Sequence, residues 1–109
     1  MSHQFRDSPR QSLCYPLPVR LSLKNPGAVP VDGMLLDVNE QGMGILVTQA
    51  LEEQACCTIE IFDEDLSKSF PGVISYITNT DYGLRLGVQL AEDSEDLLDY
   101  LDEIHVMLE

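Results

Sequence analysis

Asp37-Val38-Asn39-Glu40-Gln41-Gly42-Met43-Gly44 stands between two apolar runs, Met34-Leu35-Leu36 before it and Ile45-Leu46-Val47 after it. A short polar stretch with glycine between apolar runs predicts a tight turn joining two buried strands. Asn39 to Gly42 is ordinary four-residue turn chemistry, with Gly42 expected at positive φ where the second strand begins. The same stretch is also a candidate site. Period-two geometry puts Asp37 and Asn39 on one face, and bare backbone at Gly42 and Gly44 admits a flat ligand.

On the N-terminal side, Leu17, Val19, Leu21 and Leu23 alternate with Pro18, Arg20, Ser22 and Lys24, a strand with one buried and one wet face. Pro18 marks it as an edge strand or as the point where a strand starts. Residues 1–16 carry Pro9 and Pro16 without a period and are expected to be a flexible arm ahead of a folded unit at 17–109. The strands flanking the turn fall near 31–38 and 43–48. Further strands are expected at Cys57–Ile61, at about Gly72–Thr78 and at Leu84–Leu90, with charged Asp63–Lys68 as a loop. Six short strands at hairpin spacing predict an antiparallel barrel or sandwich. The period then changes. Leu97, Leu98, Leu101, Ile104 and Leu108 follow helical spacing, so one amphipathic helix is expected over about 92–108.

The 109 residues suit a single domain with a modest core. No apolar run approaches the ~20 residues of a membrane span, and the first residues show no apolar signal segment, so a soluble cytoplasmic protein without membrane insertion is expected. A net charge of −13 argues against DNA or RNA as a partner, because backbone affinity needs clustered Lys and Arg. The charge is unevenly placed. Residues 1–30 hold four cations against one acid, whereas residues 31–109 hold Lys68 and Arg85 against eighteen acids. A small anion is therefore expected where the chain begins. The eight carboxylates between residues 92 and 109 read as a solvated helix face or as a docking surface for a basic partner.

Catalysis finds little support. His3 and His105 belong to no nucleophile signature, and Cys56-Cys57 lacks the paired spacing of zinc ligands, so neither an enzyme nor a metal site is expected. Three cysteines with two adjacent are expected as reduced thiols, partly buried.

With arm, strands and turn in place, the chain resembles the PilZ domain, the bacterial receptor module for cyclic di-GMP. That family carries Arg-x-x-x-Arg in its arm and Asp/Asn-x-Ser-x-x-Gly in a following turn. Arg6-Asp7-Ser8-Pro9-Arg10 matches the first, and Asp37-Val38-Asn39-Glu40-Gln41-Gly42 matches the second at Asp37 and Gly42, with Asn39 in place of Ser. A second frame, Arg10-Gln11-Ser12-Leu13-Cys14, places a thiol at the second position. The resemblance extends through Gly83–Leu90 and the closing helix, and implies an all-β fold, a six-stranded antiparallel barrel with a C-terminal helix. It implies a cyclic di-GMP site at Arg6, Arg10, Asp37, Asn39 and Gly42, no enzymatic activity, a protein partner, and a role in motility or biofilm control. The alternative is a PilZ-like domain that binds no nucleotide and serves as an interaction adaptor.

Overall fold

The computed structural model describes residues 10–25, 27–39, 41–63, 67–91 and 95–109. Each alternating run forms a strand: β1 (Gln11–Leu23), β2 (Val31–Val38), β3 (Gly42–Val47), β4 (Cys56–Ile61), β5 (Lys68–Thr80) and β6 (Gly83–Leu90). All pairs are antiparallel, and the order β1-β2-β3-β6-β5-β4 closes on itself through the β1–β4 ladder. Strand spacing alone permits a barrel or a sandwich, and closure makes this a barrel. Alternation sends Val19, Leu21, Leu35, Met43, Ile45, Ile59, Ile61, Ile74, Leu86 and Val88 inside, all at most 2 % exposed.

Closure corrects the edge expected at Pro18. β1 pairs β2 on one side, and its ladder to β4 begins at Val19, one residue after the proline. The missing N–H thus falls just ahead of the β4 ladder, where no donor is required.

Besides an irregularity in the β1–β2 ladder between Ser12 and Leu17, two single-residue bulges reset the in-out phase. On β2 one residue, Leu36, is inserted between Leu35 and Asp37 relative to β3; on β5, Ser75 is inserted between Ile74 and Tyr76 relative to β6. An inserted residue moves the next side chains to the opposite face. Asp37 and Tyr76 are thereby turned outward although Leu35 and Ile74, two residues earlier, point in.

β1 starts at Gln11, so residues 11–16, expected in the arm, are strand. Gln11 and Ser12 pair Val38 and Asp37 on β2, and further support comes from the far end of the chain. Cys14 N–H donates to the Met107 carbonyl (2.9 Å), Glu109 N–H donates to the Ser12 carbonyl (2.9 Å), and Leu13 bridges Leu108. Proline punctuation cannot reveal a partner more than ninety positions away.

The same contact explains a second correction. The helix, α1, spans Glu95–Glu103 and stops well before residue 108. His105 adopts φ 62°, Val106 N–H donates to the Leu101 carbonyl (2.9 Å) and His105 N–H to the Asp102 carbonyl (3.1 Å). These are the two bonds of a Schellman cap, with His105 in the left-handed position usually given to glycine. Leu108 leaves the helix pattern to meet Leu13. Leu97, Tyr100 and Leu101 are the buried face of α1, Tyr100 donating to the Ile61 carbonyl (3.3 Å) and tilting against Phe70 with ring centroids 5.9 Å apart. α1 therefore packs over the barrel where β4 ends and β5 begins.

Candidate functional site

Register builds the site. Ser12 pairs Asp37, Asp37 pairs Gly44, Gly44 pairs Gly87, and Gly87 pairs Tyr76, so one row crosses five strands on the outer face of the barrel. The two glycines in the middle form its floor. A Cβ on Gly44 would lie 2.5 Å from Asp37 Oδ1 and 2.6 Å from Arg85 Nη2, and a Cβ on Gly87 would run into the Tyr76 ring. Asp37, Arg85 and Tyr76 occupy the space that the missing side chains leave.

Asp37 is the buried charged residue of the described chain, at 8 % exposure. Burying a carboxylate is costly unless it is paired. Two arginines pair it from different elements. Arg10, immediately before β1, donates from Nη1 to Asp37 Oδ1 at 2.9 Å, and Arg85 on β6 donates from Nη2 to Asp37 Oδ2. Partial burial pulls the Arg85 guanidinium down, but the hydrogen bond and charge of Asp37, with those of Tyr76, outweigh it and leave Arg85 above its ordinary value. The arginine side chains are 35 % and 26 % exposed. Two guanidiniums on one carboxylate carry a net positive charge on the surface of a chain whose overall charge is −13.

The turn holds Asp37 in place. Asn39 Oδ1 accepts from the N–H groups of Gln41 and Gly42 (2.8 Å each), and Asn39 N–H donates to the Gly42 carbonyl (3.1 Å). Leu90 N–H ties the turn to β6 through the Gln41 carbonyl (2.8 Å). Asn39 thus builds an Asx turn with the oxygen that the sequence offers to a ligand. Gly42 also differs from expectation. Positive φ occurs at Gly27 and Gly83 among the described glycines, not at Gly42. Glycine is required at 42 because a Cβ there would run into the Val88 carbonyl oxygen of the neighbouring strand. Its bare backbone therefore faces β6, where a ligand was expected.

Of the five residues singled out from the sequence, Arg10 and Asp37 meet directly, Asn39 and Gly42 shape the turn beside them, and Arg6 lies outside the described residues. Arg85 was not singled out. Its signal was faint: it is one of two cations among residues 31–109. Among the described residues no group of three or more His, Cys, Asp or Glu is placed to hold a metal ion, and no helix is long and apolar enough to cross a membrane.

A family model described as PilZ domain matches residues 4–104. Among solved structures, the PilZ domain with c-di-GMP of YcgR from Escherichia coli aligns at TM-score 0.68 and 20 % identity, covering 93 % of this chain and 88 % of that one. YcgR from Escherichia coli in complex with c-di-GMP aligns at 0.69 and 22 % identity, covering 93 % of this chain and 44 % of that one. The Bacillus subtilis inhibitor of motility (MotI/DgrA) aligns at 0.63 and 12 % identity, covering 88 % and 47 %. The chain spans somewhat less than half the length of these last two. No curated protein sequence matches it.

Proposed function

The chain belongs to the PilZ domain family, whose ligand is cyclic di-GMP, and we propose that it is itself a cyclic di-GMP receptor in which the N-terminal arm closes on the nucleotide. One observation carries the reading. Arg10 and Asp37, from the two halves of the sequence motif and 27 positions apart, share an ion pair on the outer face of the barrel. Cyclic di-GMP presents two phosphates, and guanine edges with O6 and N7 acceptors. A guanidinium fork suits either, and can also stack on a base.

In this reading Arg10 transfers part of its hydrogen bonding from Asp37 to the ligand, and Arg6, four residues earlier on the same side of an extended arm, closes from above. Asp37 accepts from guanine N–H groups. Asn39 and Gly42 contribute by fixing the turn that presents Asp37. Ordering of the arm is the output, read by a cytoplasmic protein partner. We place that output in motility control, the process named for the Bacillus subtilis relative.

Calorimetric titration with cyclic di-GMP, with GMP as control, tests the reading. Saturable binding is expected, weakened by about tenfold or more in Arg10→Ala, the equivalent of roughly 1.4 kcal/mol. Absence of heat together with an unchanged melting temperature would overturn it.

A further inference from the structure

Resting on the receptor reading, we propose that Arg85 is a further ligand-binding residue, gripping a phosphate of the cyclic dinucleotide from the barrel wall. The arm motif supplies guanidiniums only from the chain's beginning. Arg85 comes from β6, and register brings it to the same carboxylate as Arg10, each arginine on its own oxygen of Asp37. The two guanidiniums therefore stand side by side, both partly open to solvent, over the outer-face row that runs through Gly44 and Gly87.

Charge selects the phosphate. One carboxylate neutralises one of the two arginines, and among the described residues no second carboxylate pairs with either of them. The other described cations lie elsewhere: Arg20 stacks on Phe62 at 5.1 Å and pairs Asp32, Lys24 follows the end of β1 and acts on Cys57, and Lys68 lies 5.6 Å from the Phe70 ring. Within a strongly acidic chain, the Arg10–Arg85 pair is where an anion is attracted. A guanidinium carries five N–H donors, and Asp37 and Tyr76 account for only part of them. Asp37 and Tyr76 both hydrogen-bond Arg85, so part of its side-chain entropy is already lost before a phosphate arrives. Arg85 also answers the second frame of the arm. Where Cys14 rather than Arg6 is the partner position of Arg10, the second guanidinium of the grip comes from β6.

The rival role for Arg85 is positioning alone, holding Asp37 without touching ligand. A double-mutant cycle separates the two. Cyclic di-GMP affinity is measured by calorimetry for the wild type, Arg85→Gln, Arg85→Lys, Asp37→Asn and the Asp37→Asn/Arg85→Gln pair, each with a thermal melt. Direct contact predicts a loss of about tenfold in Arg85→Gln and a smaller loss in Arg85→Lys, which keeps the charge without the fork. It also predicts a further loss of about fivefold or more when Arg85→Gln is added to Asp37→Asn. Arg85→Gln within about twofold of wild type, or no further loss in the Asp37→Asn background, overturns the proposal. If Arg85→Gln shows no cooperative melt, the Arg85→Lys comparison decides. A wild type that takes up no cyclic di-GMP overturns the receptor reading and this proposal with it, before any variant is compared.

Discussion

Replacing Asp37 by Asn removes one charge and almost no volume, so its effect on stability isolates the electrostatics of the outer-face cluster. Asp37 is 8 % exposed and accepts one bond from each arginine. Hydrogen bonds to charged groups contribute about 1.5–3 kcal/mol when sheltered. The Arg85 half, with the arginine side chain 26 % exposed, falls at the low end of that range; the Arg10 half, at 35 %, is discounted for solvent to about 0.5–1 kcal/mol. Asparagine keeps one acceptor but turns a donor toward the other guanidinium, and leaves two cations with no counter-charge. The expected cost is about 2–3 kcal/mol, or a fall of roughly 10 °C in melting temperature for a domain of this size. Salt provides the signature. Raising ionic strength from about 0.01 M to about 1 M shortens the screening length from about 30 Å to about 3 Å, which relieves the repulsion between Arg10 and Arg85 in the variant. The gap between wild type and Asp37→Asn should therefore narrow at high salt. Thermal melts of both proteins at the two salt concentrations provide the assay. A variant melting within about 2 °C of wild type at low salt would refute the reasoning, since Asp37 would then not be the charge that holds the two arginines together.

Two further predictions concern parts of the molecule away from the ligand. Burial, with the charge of Cys56 adding and that of Lys24 opposing, pushes the Cys57 thiol from 9.0 to about 11. Between those values the unfolded chain has lost the proton while the folded chain keeps it, so stability is present below pH 9 and falls as pH rises toward 11, by up to roughly 2–3 kcal/mol. Denaturant titrations across that window should show a shallower loss in Cys57→Val, and equal slopes would count against the buried thiol as the cause. At the other end, deleting Val106–Glu109 removes the Met107 and Leu108 contacts to β1, so the Cys14 amide should lose its protection in hydrogen exchange; retained protection would show that β1 holds its start without the tail.

The barrel was legible because its signal is local and repeated. Leu17 to Leu23, Cys57 to Ile61 and Leu84 to Leu90 alternate strictly, and alternation requires only that one face be buried. The turn was legible for the same reason, being bracketed by its own strands. The outer face was not, because its geometry depends on insertions of one residue. Counting by twos from Leu35 puts Asp37 in the core, whereas the Leu36 bulge turns it out, and nothing in Leu35-Leu36-Asp37 announces a bulge. Arg85 reaches Asp37 across 48 positions through the β3–β6 register, which no single segment encodes. The helix end escaped detection because His105 occupies a position where glycine or asparagine would have been the readable sign.

These hidden features meet at the root of the arm. The cap at His105 frees residues 106–109 from the helix, and the freed tail runs back along Ser12–Cys14, two to four residues after Arg10. Arg10 is thus held on one side by Asp37 through its side chain, and the strand beyond it is held by the tail through its backbone. A ligand that drew Arg10 away from Asp37 would act on a segment with two backbone neighbours, β2 through Gln11 and Ser12 and the C-terminus through Ser12–Cys14. The local rule broken at His105 is therefore the one that ties the end of the chain to the beginning of the site.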